Sequence, residues 1–140
     1  MGGIFGQPRP GPLAGRQIVG RRGEDCAAAY LERQGYAIIA RNWRTRRGEL
    51  DIVARDGEWL VFVEVRARQG GRRPTGPILG APEDSVTSTK QRQLAAMVEE
   101  YLFQAPWDGP KRIDVVAVEL AADGALQRLT HYRDAVEGLL

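Results

Sequence analysis

Two apolar runs, residues 49–55 (ELDIVAR) and 58–66 (EWLVFVEVR), are separated only by Asp56 and Gly57. Asp-Gly between β-forming stretches is the strongest short-range signal for a hairpin, because both residues tolerate positive φ. A two-residue loop also sets a register. Arg55 then faces Glu58, Val53 faces Leu60, Asp51 faces Phe62 and Glu49 faces Glu64. Residues opposite one another, and residues two apart, share a sheet face. Glu49, Asp51, Glu64 and Arg66 therefore collect on one face. Leu50, Ile52, Trp59, Val61, Val63 and Val65 form the other, which reads as core. In this register Asp51 and Glu64 are diagonal neighbours, about 7–8 Å apart at the backbone. Their carboxylates are then near enough to close on one Mg²⁺ or Mn²⁺ at about 2.1 Å per oxygen.

The acidic face also carries Val53, Leu60 and Phe62 near the turn. Carboxylates clustered at the end of such apolar strands repel one another and resist ionisation, and a bound cation relieves both effects. The ordinary alternative is that Glu49, Asp51 and Glu64 are solvated strand-end residues paired with arginines. Glu64 lies between Val63 and Val65 in the most apolar strand, which favours a site. A further acid comes from the first helix, read over residues 16–34. Glu24 precedes Ala27, Ala28 and Leu31 by three, four and seven positions, so it projects from the apolar stripe that faces the sheet.

The remaining pattern completes the fold class. Residues 36–43 are rich in β formers, residues 45–48 read as a turn, and residues 69–84 as a long loop with several Gly and Pro. Ser88 with Gln91 suggests a capping box, opening a helix with Leu94, Met97, Val98, Tyr101 and Leu102 at helical spacing. Pro106, Gly109 and Pro110 end it. Strands follow at 113–118 and 126–132. The order α-β-β-β-α-β-β predicts an α/β domain, a mixed β-sheet flanked by helices. Residues 16–140 read as one domain preceded by a flexible Gly- and Pro-containing tail over residues 1–15. That tail has no basic start with an apolar core, so it does not read as a secretory signal. No apolar run approaches the roughly 20 residues needed to span a bilayer. Cys26 is the only cysteine, which excludes an internal disulfide and a cysteine-based zinc site. It suits a reducing, cytoplasmic setting.

Net charge is +2, but it is unevenly spread. Residues 1–73 carry 14 arginines against 8 acids, whereas residues 74–140 carry 6 basic residues against 10 acids. The basic excess thus sits in the half that holds the acidic hairpin. Arginine is the better fork for phosphate oxygens, and 18 of the 20 basic residues are Arg. Arg41, Arg44, Arg46 and Arg47 surround the first turn and are the candidates for tracking a phosphate backbone. A solvated, charged turn is the plain alternative. Asp114 interrupts an apolar strand, where pairing with Lys111 or Arg112 is the favoured reading over an approach to the acids. His131 reads as a surface or packing residue rather than a metal ligand, and Cys26 as a small core residue. Trp43 and Trp59 read as core rather than as base-stacking platforms.

Taken together, several short stretches mark a resemblance. Gly48-Glu49-Leu50-Asp51 followed by Val61-Phe62-Val63-Glu64-Val65-Arg66 resembles the PD-(D/E)xK nuclease superfamily. Gly23-Glu24-Asp25, Tyr30-Leu31, Arg41-Asn42-Trp43-Arg44, Lys90, Tyr101-Leu102 and Arg112-Ile113-Asp114-Val115-Val116 narrow it to the bacterial YraN-type family, which is similar to archaeal Holliday-junction resolvases. The resemblance implies a restriction-endonuclease-like fold and a metal-dependent endonuclease acting on structured or branched DNA. It implies Asp51 and Glu64 as metal-binding acids, Glu24 as a supplementary acid, and the Val65 carbonyl as a further ligand. By analogy it implies a twofold homodimer. The motif ends in lysine, and Arg66 stands there. Arginine stays protonated and cannot take a proton from water, though it can hold a phosphate or stabilise its charge. Lys90 at the start of the second helix is a candidate relocated amine, or else a solvated first-turn residue. The alternative function is a non-catalytic nucleic-acid-binding protein with a lapsed site. An adaptor with an exposed apolar patch is a third, weaker reading.

Overall fold

The computed structural model describes residues 15–70 and 87–136. The expected tail, apart from Gly15, and most of the expected long loop lie outside the described residues. The elements are α1 (Gly15–Arg33), β1 (Ala37–Thr45), β2 (Gly48–Asp56), β3 (Trp59–Gln69), α2 (Ser88–Gln104), β4 (Lys111–Leu120) and β5 (Leu126–Tyr132). The strands form one sheet in the order β1-β2-β3-β4-β5. β3 and β4 are parallel, joined by a crossover that contains α2, and every other neighbouring pair is antiparallel. The mixed sheet with two helices is thus the architecture the sequence pattern predicts. No helix among the described residues is long and apolar enough to cross a membrane.

The helices cover opposite faces of the sheet. Ala27, Ala28 and Leu31 of α1 pack with Ile52, Ala54, Val61, Val63, Val116 and Val118. Leu94, Met97, Val98 and Tyr101 of α2 pack with Val53, Leu60, Phe62, Ile113 and Val115. Burial from both sides explains why β3 and β4 read as nearly unbroken apolar runs. It also explains why the acidic hairpin face carries Val53, Leu60 and Phe62. α1 lies so close to β3 that a Cβ on Gly23 would overlap that of Ala67; this approach seats the neighbouring Glu24 against the sheet. Trp59 departs from expectation. It is 42% exposed at the first position of β3, with the Arg112 guanidinium 5.4 Å from its ring.

The hairpin register also differs from the sequence expectation. Asp56 pairs with Trp59, so the loop is Gly57-Glu58, and the ladder continues as Arg55↔Leu60, Val53↔Phe62 and Ile52↔Val63. Gly57 has φ 58° while Glu58 stays at negative φ, the φ pattern of a II′ turn with glycine at the first central position. Moving the loop by one residue preserves which residues share a face but changes their partners. Extended by one pair, the new register would set the two acids directly opposite rather than diagonal.

Candidate functional site

Continued by one pair, this ladder would set Asp51 against Glu64. It stops at Ile52↔Val63, although both strands run on. Like charges directly opposite disfavour pairing, and here the strands separate. The Asp51 carboxylate takes the place of a backbone acceptor, with Val65 N–H donating to Asp51 Oδ2 at 2.8 Å. Strand alternation is disturbed at the same point: Leu50 packs with Val53 and Met97, on the α2 side, whereas Ile52 packs on the α1 side. An extended residue's N–H and C=O point to one edge, so the Val65 carbonyl also faces the Asp51 edge.

Glu64 is 6% exposed. Lys90 reaches it from α2, Nζ to Oε1 3.4 Å, and Arg66 Nη1 stands 4.0 Å from the same oxygen. Lys90 owes its place to a cap one residue earlier than expected. Thr87, not Ser88, is the N-cap, in an extended conformation whose hydroxyl accepts from Lys90 N–H at 3.2 Å. A cation in the first turn of a helix is disfavoured by the helix dipole, and Glu64 offsets that. The lysine is therefore bound to the acid and is not a freely solvated first-turn residue.

The electrostatics follow from burial. Desolvation, then the neighbouring Glu64 charge, push the Asp51 carboxyl up to about 7, against the hydrogen bond from Val65. Burial also raises Glu64, opposed by Lys90 and Arg66. Glu24 is raised by burial too, opposed by a hydrogen bond from the Asn42 side chain. Asn42, which sequence reasoning passes over, sits in the left-handed region at φ 52°, one that Asn adopts more readily than most residues. Glu24 and Glu64 line one cavity of about 900 Å³ with Val65, Arg66 and Arg68.

Among the described residues, no three Asp, Glu, His or Cys side chains converge closely enough to hold a metal ion. The compact donor set is the pair Asp51 and Glu64, with Glu24 beside it on the cavity wall. A buried and a half-buried carboxyl that desolvation drives toward protonation suit a small divalent cation, which would replace the proton. Glu49 is exposed and bonded to Arg44 at 3.1 Å. Of the expected phosphate-tracking residues, Arg41 meets Asp25 at 2.7 Å, Arg44 meets Glu49, and Arg46 N–H donates to Glu100 at 3.1 Å. The Arg47 carbonyl accepts from the Gln93 side chain.

Asp114 belongs to a separate network on the α1 side. It is fully buried and accepts from Arg112 Nε at 2.9 Å and the Asp134 N–H at 2.9 Å, and meets His131 Nε2 at 2.8 Å. His131 Nδ1 meets the Tyr30 hydroxyl at 3.0 Å, and Arg112 Nη2 donates to Tyr36 and Asp56. The pairing of Asp114 with Arg112 is as the sequence suggests, whereas the His131 side chain is a buried, hydrogen-bonded member of this network and more than a surface or packing residue. Cys26 sits half-buried against the α1-side core. Trp43 is half-buried with its ring edge-on to Tyr101.

Comparison with known proteins adds a family. Residues 23–118 match the family described as "Uncharacterised protein family UPF0102". A UPF0102 protein of Pelotomaculum thermopropionicum is 42% identical over 86% of this chain and 96% of its own length. The UPF0102 protein GSU0650 of Geobacter sulfurreducens is 47% identical over 86% of this chain and 90% of its own. A UPF0102 protein of Rhodococcus opacus is 41% identical over 88% of this chain and 99% of its own.

Proposed function

The chain belongs to the uncharacterised protein family UPF0102, and we propose that it is a cytoplasmic, Mg²⁺- or Mn²⁺-dependent endonuclease that hydrolyses phosphodiesters in structured or branched DNA. The observation that carries this reading is the splaying of β2 from β3 at Asp51 and Glu64, which leaves the half-buried Asp51 carboxyl near the buried Glu64, with Lys90 against Glu64. Asp51 and Glu64 hold the ion, aided by the Val65 carbonyl and by Glu24 across the cavity. When bound, the ion supplies charge that polarises the scissile phosphate and makes water a stronger acid. Arg66 holds the phosphate and stabilises its developing charge. Lys90 brings to the site the amine that β3 itself lacks. Arg41, Arg44, Arg46 and Arg47 follow the DNA backbone.

A second reading, a DNA-binding protein with a lapsed site, is favoured by Arg66 alone, since it cannot accept a proton. Labelled four-way junctions, flaps and single strands incubated with Mn²⁺, Mg²⁺ or chelator separate the two. The expected result is slow, metal-dependent cleavage that rises with pH, faster in Arg66→Lys and slower in Lys90→Met. Cleavage by Arg66→Lys but not by wild type would establish the second reading. If neither cleaves and metal titration shows no binding at Asp51 and Glu64, the acids are structural.

A further inference from the structure

Beyond the acidic pair, three arginines share the α2-side face of the sheet. Arg66 and Arg68 follow Glu64 at alternate positions of β3, so they project from the same face, and both line the cavity with Glu64. The register carries the row outward. Arg68 pairs with Glu119 of β4, and Glu119 pairs with Arg128 of β5. Arg68 Nε donates to Glu119 Oε2 at 2.8 Å, so the one acid in the row is engaged by its β3 neighbour. Arg128, on the other side of Glu119, has Nε and Nη2 withdrawn from solvent with no hydrogen-bond partner among the described residues.

A guanidinium cannot shed its charge, and its unpaired N–H groups are costly once removed from water. Its missing acceptors are best supplied by an anion. From β3 to β5 is two strand spacings, about 10 Å. Three guanidinium groups spread over that distance can each take a phosphate of its own along a nucleic-acid backbone. We propose that the sugar–phosphate backbone of the nucleic-acid substrate crosses the sheet over Arg66, Arg68 and Arg128, with the Arg128 side chain turning outward to give a phosphate the N–H groups that stand covered and unpaired here. This rests on the nucleic-acid reading above and adds a second surface to it. At the β1–β2 turn, Arg44 and Arg46 already meet Glu49 and Glu100, whereas Arg128 has no acid of its own among the described residues.

Binding of a labelled DNA duplex, followed by fluorescence anisotropy across a range of salt in chelator, tests this without any cleavage. Arg128→Gln should weaken binding and lower the log–log salt slope by about one, the share of one phosphate contact. Arg128→Lys should keep the slope, because it keeps the charge, and lose part of the affinity. Arg33→Gln, at the exposed end of α1, should change neither. Thermal melting without DNA provides an independent reading: removing an unpaired, desolvated cation should raise the melting temperature of Arg128→Gln. Unchanged affinity and slope in Arg128→Gln, or no DNA binding by wild type, would overturn the proposal. If wild type binds with an Arg128-dependent slope but cleaves nothing with Mn²⁺, only the hydrolytic reading fails. If it cleaves and Arg128→Gln binds as wild type does, only this proposal fails.

Discussion

Asp114→Ala is expected to lower folding stability by about 3–5 kcal/mol, the usual consequence of removing one member of a buried ion pair, as read by urea denaturation at neutral pH. Asp114 is fully buried, and the alanine would strand the Arg112 guanidinium, the His131 imidazole and the Asp134 N–H at once. Domains of this size have only about 5–15 kcal/mol in total, so the variant should be close to unfolding at ambient temperature. The pH dependence has a definite sign. Burial alone would raise the Asp114 carboxyl, but hydrogen bonds from His131, Arg112 and the Asp134 N–H outweigh it and hold it below 3.8. A depressed acid stabilises the fold above its unfolded value and loses that contribution as pH falls through its folded value. The gap between wild type and Asp114→Ala should therefore be full at neutral pH and close in strong acid. A loss under about 1 kcal/mol would show that the network is not a satisfied buried cluster.

Asp51→Asn is expected to do the reverse to stability while removing activity. In the folded protein the Asp51 carboxyl is pushed up from 3.8 to about 7. The folded state thus holds a proton that the unfolded chain has released, and stability contributed by this group falls as pH rises from 3.8 toward 7. Asparagine carries no charge, and its carbonyl can still accept from Val65 N–H. In chelator the variant should match wild type near pH 4 and exceed it at pH 8 by about 2 kcal/mol, roughly half of what the full shift would give, since a coupled pair relaxes. Mn²⁺ should raise the melting temperature of wild type at pH 8 and leave that of Asp51→Asn nearly unchanged. Under the nuclease reading, cleavage should drop by at least about a hundredfold, as expected when a charge-stabilising centre is dismantled. A variant that is no more stable at pH 8 than wild type would mean that Asp51 ionises freely.

The element order is legible in the sequence because its signals are local. The Asp56-Gly57 punctuation, the spacing of Leu94, Met97, Val98 and Tyr101, and the Pro-Gly loop before β4 each depend on neighbours in sequence. The proximity of Asp51 and Glu64 is legible for the same reason, since a shift of the loop by one residue leaves them neighbours, whereas the break in alternation around Asp51 leaves no local mark. The register of the hairpin is not, because Asp56-Gly57 and Gly57-Glu58 are both plausible two-residue loops and only the packed sheet selects one. Sequence offers Lys90 as a candidate amine but cannot place it on Glu64, because that contact depends on how a crossover helix lies on a sheet. Nor does it single out Asn42, whose bond to Glu24 joins a strand to a helix through a local left-handed residue. Trp59 is misplaced because period-two patterning assigns a face but does not say where the covering layer ends.

The parallel pairing of β3 with β4 has a kinetic consequence. Every β3 residue from Leu60 to Gln69 meets a partner 51 positions later in the chain, whereas β1, β2 and β3 are joined by tight turns. Local antiparallel contacts form quickly, and long-range parallel pairing is slow because the intervening chain must first be closed into a loop. As the ribosome delivers the chain, β1–β3 can zip together early with Asp51 and Glu64 already in place. Lys90 is brought onto Glu64 only when α2 docks on the hairpin residues Val53, Leu60 and Phe62, and the core is complete only when β4 has emerged and slotted beside β3. The acidic pair therefore exists before the machinery that surrounds it, and a growing chain carries the residues of the site well before it carries the assembled site.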